Sequence, residues 1–426
     1  MTIDTASKPM PPDVVDTLWR QAEILRPSMV EFARRLVRTP SLPGQEGDVA
    51  RLVQAEMQSL GYDQASIDDA GNVIGKLEAN DGGAATGSTA QSSAAGRSRR
   101  SIMFNTHMDH VDVGDESRWP HPPYEAALVD GEIWGRGTAD LKGPLACQVY
   151  AGALLREAGL PCPNDVYVVG VLQEEVSGLG SYHLVSHLKT DYAVLGEPSA
   201  NMLALGHRGR VEVQVTITGK SVHASVPGSG ANPLYSMARL LSALEQLRFE
   251  PDPNFPDLGA TTVAPTLIST DQTSANVVPG ECGLILDFRN SPIDTPEVIV
   301  QRVRELLQAS LQGGATGTAD ILPKTLVSYK GLSVTLGNAA PAFGIAPDRP
   351  LVTGAKAALN AALKRQVPTK IWPFCTDAGH LVAAGIEVIG FGPGHEEVIH
   401  TVNERISVDM MVEAMVANAA LALALA

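Results

Sequence analysis

Residues 165–197 read DVYVVGVLQEEVSGLGSYHLVSHLKTDYAVLGE. The stretch opens on the apolar run DVYVVGVLQ and closes on DYAVLGE. Neither run alternates between polar and apolar residues, so each reads as a strand buried on both faces. Between them, GLGSYHLVSHL reads as a short helix. Just upstream lie a helix, GPLACQVYAGALLREAGL (143–160), and another apolar strand, SIMFNTH (101–107). Apolar strands alternating with helices predict an α/β fold, a mostly parallel sheet flanked by helices.

Outward from this core, SMVEFARRLVRTPSL (28–42) and GDVARLVQAEMQSLGYD (47–63) carry apolar residues at helical spacing. The second pattern stops at Gly61. NVIGKLEA (72–79) reads as a strand. Residues 80–100, rich in Gly, Ala and Ser, predict a disordered loop interrupting a hairpin between NVIGKLEA and SIMFNTH. Near residue 206 the style changes. RVEVQVTITGKS (210–221) alternates strictly, as a half-exposed antiparallel strand does. A helix (232–247), strands at 260–271 and 281–290, a helix (296–311) and the strand ADILPKTLVSYKG (319–331) follow. That order predicts a ferredoxin-like α+β insertion over 206–345. Residues 1–205 and 346–426 then make one discontinuous domain. The helix LVTGAKAALNAAL and the strand EVIGFGPG return to the α/β style.

The 426 residues exceed one ordinary core, in keeping with two domains. A formal charge of -15 argues against nucleic acid or an anionic membrane as partner. Cys147, Cys162, Cys282 and Cys375 form no C-x-x-C pair, so a thiolate metal site is not supported. The first thirteen residues lack a basic segment followed by an apolar one, and no apolar run reaches membrane-spanning length. A cytoplasmic location is expected.

Ionisable residues crowd the strand ends: His107 and Asp109 after SIMF, Glu174 and Glu175 after DVYVVGVLQ, Glu197 after DYAVLG, and His400 shortly after EVIGFGPG. Asp140 stands before a helix in GRGTADLKG. In an open α/β sheet, ligands bind outside the carboxyl ends of the strands. Taken singly, Asp140 reads as a helix cap and Glu174–Glu175 as a solvated turn. Together, two histidines and three carboxylates are the ligand set of a dinuclear zinc or cobalt site, and a fourth carboxylate beside them serves as general base. A Ser-His-Asp hydrolase is the alternative chemistry, and no G-x-S-x-G elbow is present.

The order of FNTHMDHVDVG, GRGTADLKGPLA, QEEVSGLGS, LGEPS, GKSVHASVPGSGANPL, NVVPGECGLILDFR, CTDAG and GPGHEEVIHTVNERI resembles the dinuclear metal amidohydrolases and exopeptidases. That family includes acetylornithine deacetylase, succinyl-diaminopimelate desuccinylase, aminoacylase and glutamate carboxypeptidase. The resemblance implies two divalent cations, zinc first, with cobalt or manganese as alternatives. It implies His107, Asp140, Glu175, Glu197 and His400 as metal ligands, Asp140 bridging, with Asp109 orienting His107 and Glu174 as general base. It further implies a lid histidine, His223, donating to the oxyanion, and a substrate carboxylate held by Asn276, Arg289 and the backbone of Gly392 and Gly394. His110, Asp112 and Asp115 are left as loop and capping residues, and Glu396 and Glu397 as solvated acids. The implied reaction is deacylation of an N-acyl amino acid, with dipeptidase or carboxypeptidase activity as the alternative. A non-catalytic binding protein on the same scaffold is a remote alternative. The implied assembly is a homodimer through the inserted domain, with His223 reaching the partner's site.

Overall fold

The structure, a computed structural model, describes residues 10–80 and 100–425. The loop expected over 80–100 therefore lies, apart from its end residues, outside the described residues. The large sheet takes β1 (Gln64–Ile67), β2 (Val73–Leu77), β3 (Ser101–His107), β4 (Asp165–Val171), β5 (Tyr192–Leu195) and β6 (Leu203–His207). The second sheet takes β7 (Gly209–Thr218), β8 (Thr262–Thr270), β9 (Glu281–Asn290) and β10 (Thr316–Ile321). A hairpin of β11 (Pro323–Val327) and β12 (Ser333–Gly337) follows. The large sheet then regains β13 (Phe343–Gly344), β14 (Thr369–Trp372) and β15 (Glu387–Gly390).

The large sheet runs β1-β2-β4-β3-β5-β15-β6-β13, with β14 on β6. Its centre, β4-β3-β5-β15, is parallel throughout, and its margins are largely antiparallel. The central strands lie between helices. In α3 (Gly143–Glu157) every residue from Gly143 to Leu155 is buried, and α9 (Val408–Ala424) is nearly as enclosed. Both join α1 (Pro12–Val37), α2 (Gly47–Ser59) and α7 (Pro350–Ala362) in one core with the strands. A helix apolar on all sides has no solvent face to offer, so it packs inside the molecule.

Two expectations need correction. NVIGKLEA and SIMFNTH do not form a hairpin: β4 lies between β2 and β3, antiparallel to the first and parallel to the second. The Val-rich β4 is apolar on both faces and belongs inside a sheet, whereas chain adjacency alone does not select a pairing partner. ADILPKTLVSYKG is not one strand. It breaks at Leu322, and Pro323, which has no N–H to donate, starts β11 in a separate two-stranded sheet.

The second sheet runs β8-β9-β7-β10, all antiparallel, with α5 (Pro233–Glu245) and α6 (Pro296–Ser310) in its core. This is the ferredoxin-like arrangement. β7 alternates buried and accessible residues, its Val211, Val213, Val215 and Ile217 facing the helices. The chain passes between the sheets within Arg208. The β11–β12 hairpin leans back on the large lobe: Leu326 packs with Ala70, Leu172 and Leu179. Tyr329 Oη donates to Gly71 O at 2.9 Å, and Gln173 Nε2 to Val327 O at 2.7 Å.

Candidate metal centre

The four central parallel strands end on the same side of the sheet, and their exits carry the predicted residues. His107 is the last residue of β3; Glu174 and Glu175 follow β4; Glu197 follows β5; the chain after β15 leads to His400. Asp140 reaches this point from the turn Thr138–Lys142 that precedes α3. It makes no cap for that helix. Instead, Asp140 Oδ1 lies 2.9 Å from His107 Nε2, and Oδ2 lies 3.1 Å from His400 Nε2. Glu175 Oε1 stands 3.0 Å from the same His400 nitrogen, and Glu197 Oε1 is 3.8 Å from His107 Nε2. Two sets of three donors result, His107–Asp140–Glu197 and Asp140–Glu175–His400, the donor atoms within each set no more than 4.8 Å apart. Asp140 belongs to both.

Two backbone positions are held in the left-handed region to achieve this: Gln173 at φ 56° and His400 at φ 58°. For residues with a Cβ this conformation is uncommon and persists where the surroundings enforce it. Gly178, at φ 71°, has no alternative: a Cβ there would lie 2.4 Å from Asp377 Oδ1.

The electrostatics fit a pair of divalent cations. Burial raises the Glu197 carboxyl well above its ordinary value, and nearby Asp140 and Glu175 push the same way. Burial and the Glu197 charge do the same to Glu174, and burial and Asp140 raise Glu175. Burial alone would lower His107, but its hydrogen bonds to Asp109 and Asp140 raise it well above the usual imidazole range. His400 is pushed up to about 10 by its bonds to Asp140 and Glu175. Carboxylates crowded against their own repulsion and divided by two imidazoles are a mixed oxygen and nitrogen donor set suited to zinc-like dications.

Behind these residues lies a layer of backbone support. Asp109 is fully buried, and its carboxylate accepts the N–H of Glu174 at 3.1 Å and of Glu175 at 3.2 Å. Toward His107 Nδ1 it offers mainly its carbonyl, at 3.0 Å, with the carboxylate at 3.5 Å. Asp109 thus orients the glutamate turn as well as the imidazole. Glu46 Oε1 accepts from Gln173 N at 3.2 Å and Gly44 N at 2.9 Å, and burial raises its carboxyl to about 7. Glu404 Oε1 accepts from Ala139 N at 3.1 Å and Asp140 N at 3.2 Å, while Oε2 takes Arg136 Nη1 at 2.6 Å. Burial lifts Glu404 to about 7 even against that arginine. Glu46 and Glu404 carry no sequence signal that separates them from surface acids; only their complete burial marks them.

The remaining predicted residues are placed less uniformly. Gly392 is a correction: its N–H is donated to Ser199 Oγ at 3.1 Å, so it is not free for a substrate carboxylate. A Cβ at Gly392 would lie 2.0 Å from Gly196 O, so this glycine serves close backbone packing. Gly394 accepts from Ala200 N through its carbonyl at 2.9 Å. His223 is exposed on the inserted domain; its Nδ1 takes Ser225 Oγ at 2.7 Å, and it belongs to neither donor set. Asn276 sits beside it, accepting Ala224 N at 2.9 Å. Arg289 Nε donates to Asp287 Oδ1 at 2.8 Å, and Arg210 Nε to Oδ2 of the same aspartate at 3.0 Å. His110, read as a loop residue, is buried and accepts Ser41 N at 3.0 Å. Asp112 and Asp115 do close turns, on Gly114 N and Ser117 N. Glu396 pairs with Lys370 at 2.5 Å, while Glu397 stays exposed.

Residues 103–424 match the model of peptidase family M20/M25/M40, three quarters of the chain. This chain belongs to that family. A relative in Bacillus subtilis, N-formyl-4-amino-5-aminomethyl-2-methylpyrimidine deformylase, is 25% identical over 423 residues, covering 93% of this chain and 94% of its own. Succinyl-diaminopimelate desuccinylase 2 of Shewanella loihica is 29% identical over 301 residues, covering 68% and 74%. Among solved structures, aminopeptidase PepT of Bacillus cereus shares the fold at a TM-score of 0.70 and 21% identity, covering 93% of this chain and 98% of its own. The Bacillus subtilis protein YXEP, a dinuclear metal-binding peptidase of family M20, gives a TM-score of 0.68 at 14% identity, covering 94% of this chain and 98% of its own. As an M20 member, the chain is a metal-dependent hydrolase acting on amide bonds. No helix among the described residues is long and apolar enough to cross a membrane.

Proposed function

We propose that this M20 enzyme hydrolyses the amide bond of N-acyl amino acids. One observation carries the reading: Asp140 is shared by two sets of donors, and the adjoining Glu174 is held at its backbone by Asp109. Two divalent cations there, zinc first and cobalt or manganese as alternatives, would supply a nucleophilic water at neutral pH and a polarised carbonyl. His107, Asp140, Glu175, Glu197 and His400 hold them. Glu174 takes the proton of the attacking water and passes it to the leaving amine. His223 donates to the tetrahedral oxyanion. Asn276 and Arg289 hold the substrate carboxylate, with Gly394 beside them. Arg289 spends Nε on Asp287 and keeps its terminal nitrogens for a bidentate contact. Deacylation is preferred because two relatives, matched over 93% and 68% of this chain, are named for removing a formyl and a succinyl group.

We assign the lid and dimerisation roles to the inserted domain. Its β8 is an edge strand whose outer side is unpaired among the described residues, and Leu267 and Ile268 on it are 68% and 58% exposed. Tyr235 on α5 is 66% exposed. A long apolar edge of this kind calls for cover, and a second copy pairing through β8 supplies it. The dimer would bring His223 to the partner's centre. Four unpaired thiols suit a reducing cytoplasm.

The test is a metal-replete screen of N-formyl, N-acetyl and N-succinyl amino acids beside a dipeptide and tripeptide panel, with products identified by mass. Turnover of the acyl amino acids above all peptides is expected. Faster peptide turnover would make the protein an M20 peptidase with the same centre.

A further inference from the structure

A second group of donors lies apart from the strand exits. The loop between β1 and β2 contributes Asp68; α4 (Leu179–Leu184) and the turn after it contribute His183 and His187. The two histidines are four residues apart, so they share one side of the helical turn. Their ring centroids are 5.1 Å apart. His187 Nε2 stands 3.4 Å from Asp68 Oδ2, and one donor atom from each of the three residues lies within 4.8 Å of the other two. Among the described residues the ring nitrogens of His183 have no hydrogen-bond partner.

Asp68 is already oriented. Its Oδ1 accepts Gly71 N at 2.7 Å and Asn72 N at 2.9 Å, and its Oδ2 accepts Asn72 Nδ2 at 2.8 Å. Asn72 is fixed in turn by Gly180 O at 3.0 Å and Leu172 N at 3.2 Å. A carboxylate steered by outer hydrogen bonds, with one lone pair left facing two imidazoles, is how metal-ligating carboxylates are supported. In a tetrahedral zinc site with bonds of about 2.1 Å, neighbouring donors lie about 3.4 Å apart. Asp68 and His187 already stand at that separation, and a rotamer adjustment of the half-buried His183 completes the triangle.

We propose that Asp68, His183 and His187 bind one divalent cation of the zinc class, separate from the catalytic pair, with the fourth position open to water. Its place suggests what it does. Lys330 Nζ donates to Asp68 O at 2.6 Å and Tyr329 Oη to Gly71 O, so this loop is the ground on which the β11–β12 hairpin rests. A cation joining the loop to α4 fixes that ground to the element that follows Glu174 and Glu175. It steadies the seat of the inserted domain without touching substrate.

The experiment counts metal. Full-length wild type and the variants His183→Gln, His187→Gln and His183→Ala/His187→Ala are saturated with zinc, passed through a desalting column and analysed by elemental mass spectrometry, with circular dichroism verifying the fold. Each variant should hold one zinc fewer per chain than wild type. Cobalt-loaded wild type should lose one visible absorption component in the variants. The readout is a difference, so it is independent of the catalytic pair: a His107→Ala/His400→Ala chain should retain the ion that the His183→Gln variant lacks. Both histidines are accessible on one side, so the glutamine variants keep the fold. Equal zinc content in folded wild type and variants overturns the proposal and leaves an ordinary His187–Asp68 ion pair.

Discussion

Glu404 Oε1 accepts the backbone N–H of Asp140 at 3.2 Å, so the residue shared by both donor sets is held from behind by a fully buried acid. The same carboxylate neutralises Arg136, whose guanidinium also lies over the Trp119 ring at 4.9 Å. Glu404→Ala leaves that guanidinium buried without its partner. Breaking a buried pair this way costs about 3–5 kcal/mol. Denaturant unfolding of the metal-free protein should register that loss, and metal affinity should fall as Asp140 loosens. Unchanged stability and affinity would remove Glu404 from the architecture of the centre.

Glu174 and Glu175 are neighbours with separate duties. Glu175 touches His400, whereas Glu174 is not in either donor set. Glu174→Ala is expected to keep its metal and lose about a hundred- to ten-thousandfold in kcat, the usual worth of a general base. Glu175→Ala is expected to lower metal occupancy first. Metal content and single-turnover rates on both variants check this; equal metal loss would mean that base and ligand are exchanged.

His207 predicts an acid-sensitive fold. It is fully buried, its Nδ1 donating to Arg208 O at 3.0 Å and its Nε2 accepting from Thr376, so it is held neutral. Burial lowers it to about 4. An unfolded histidine titrates near 6.5, so between about 6.5 and 4 the unfolded chain takes up a proton that the native chain refuses. The stability tied to His207 is intact above pH 6.5 and falls by about 1.4 kcal/mol per pH unit below it, down to about pH 4. Urea unfolding at pH 7.5 and 5.0 should show a smaller pH difference for His207→Gln than for wild type. The same slope in both would exclude His207 as the cause.

The dimer reading has a mixing test. Glu174→Ala and His223→Ala subunits are each inactive alone. If His223 serves the partner's centre, a mixed dimer has one intact site, made of the His223→Ala chain's Glu174 and metals with the other chain's His223. Activity should therefore appear on subunit exchange, toward half the wild-type level in verified heterodimers. Background activity there would return His223 to its own chain or to a structural role beside Ser225.

Composition and pattern were enough for the α/β core. Apolar runs such as DVYVVGVLQ and DYAVLG have one stable environment, a sheet covered on both faces, and their helical connections make them parallel. The five ligand candidates were legible as a set, because acids and imidazoles after several buried strands, with Asp140 at a helix start, all belong to the carboxyl end of one parallel sheet. Strand order was not legible: β4 enters between β2 and β3 because pairing is decided by which strands can be buried together, which adjacency does not encode. Glu46 and Glu404 were silent because an acid's role depends on what encloses it. The spare N–H expected at Gly392 was lost to Ser199, a partner 193 residues away. Asp68, His183 and His187 are three unremarkable residues in the chain, and only folding sets their donor atoms within 4.8 Å of one another. The sequence determined which segments are buried and where charge leaves them, since both follow from local hydrophobic pattern. Tertiary structure alone decided which charges meet, since a hydrogen bond or a metal site depends on distances of a few ångströms between distant parts of the chain.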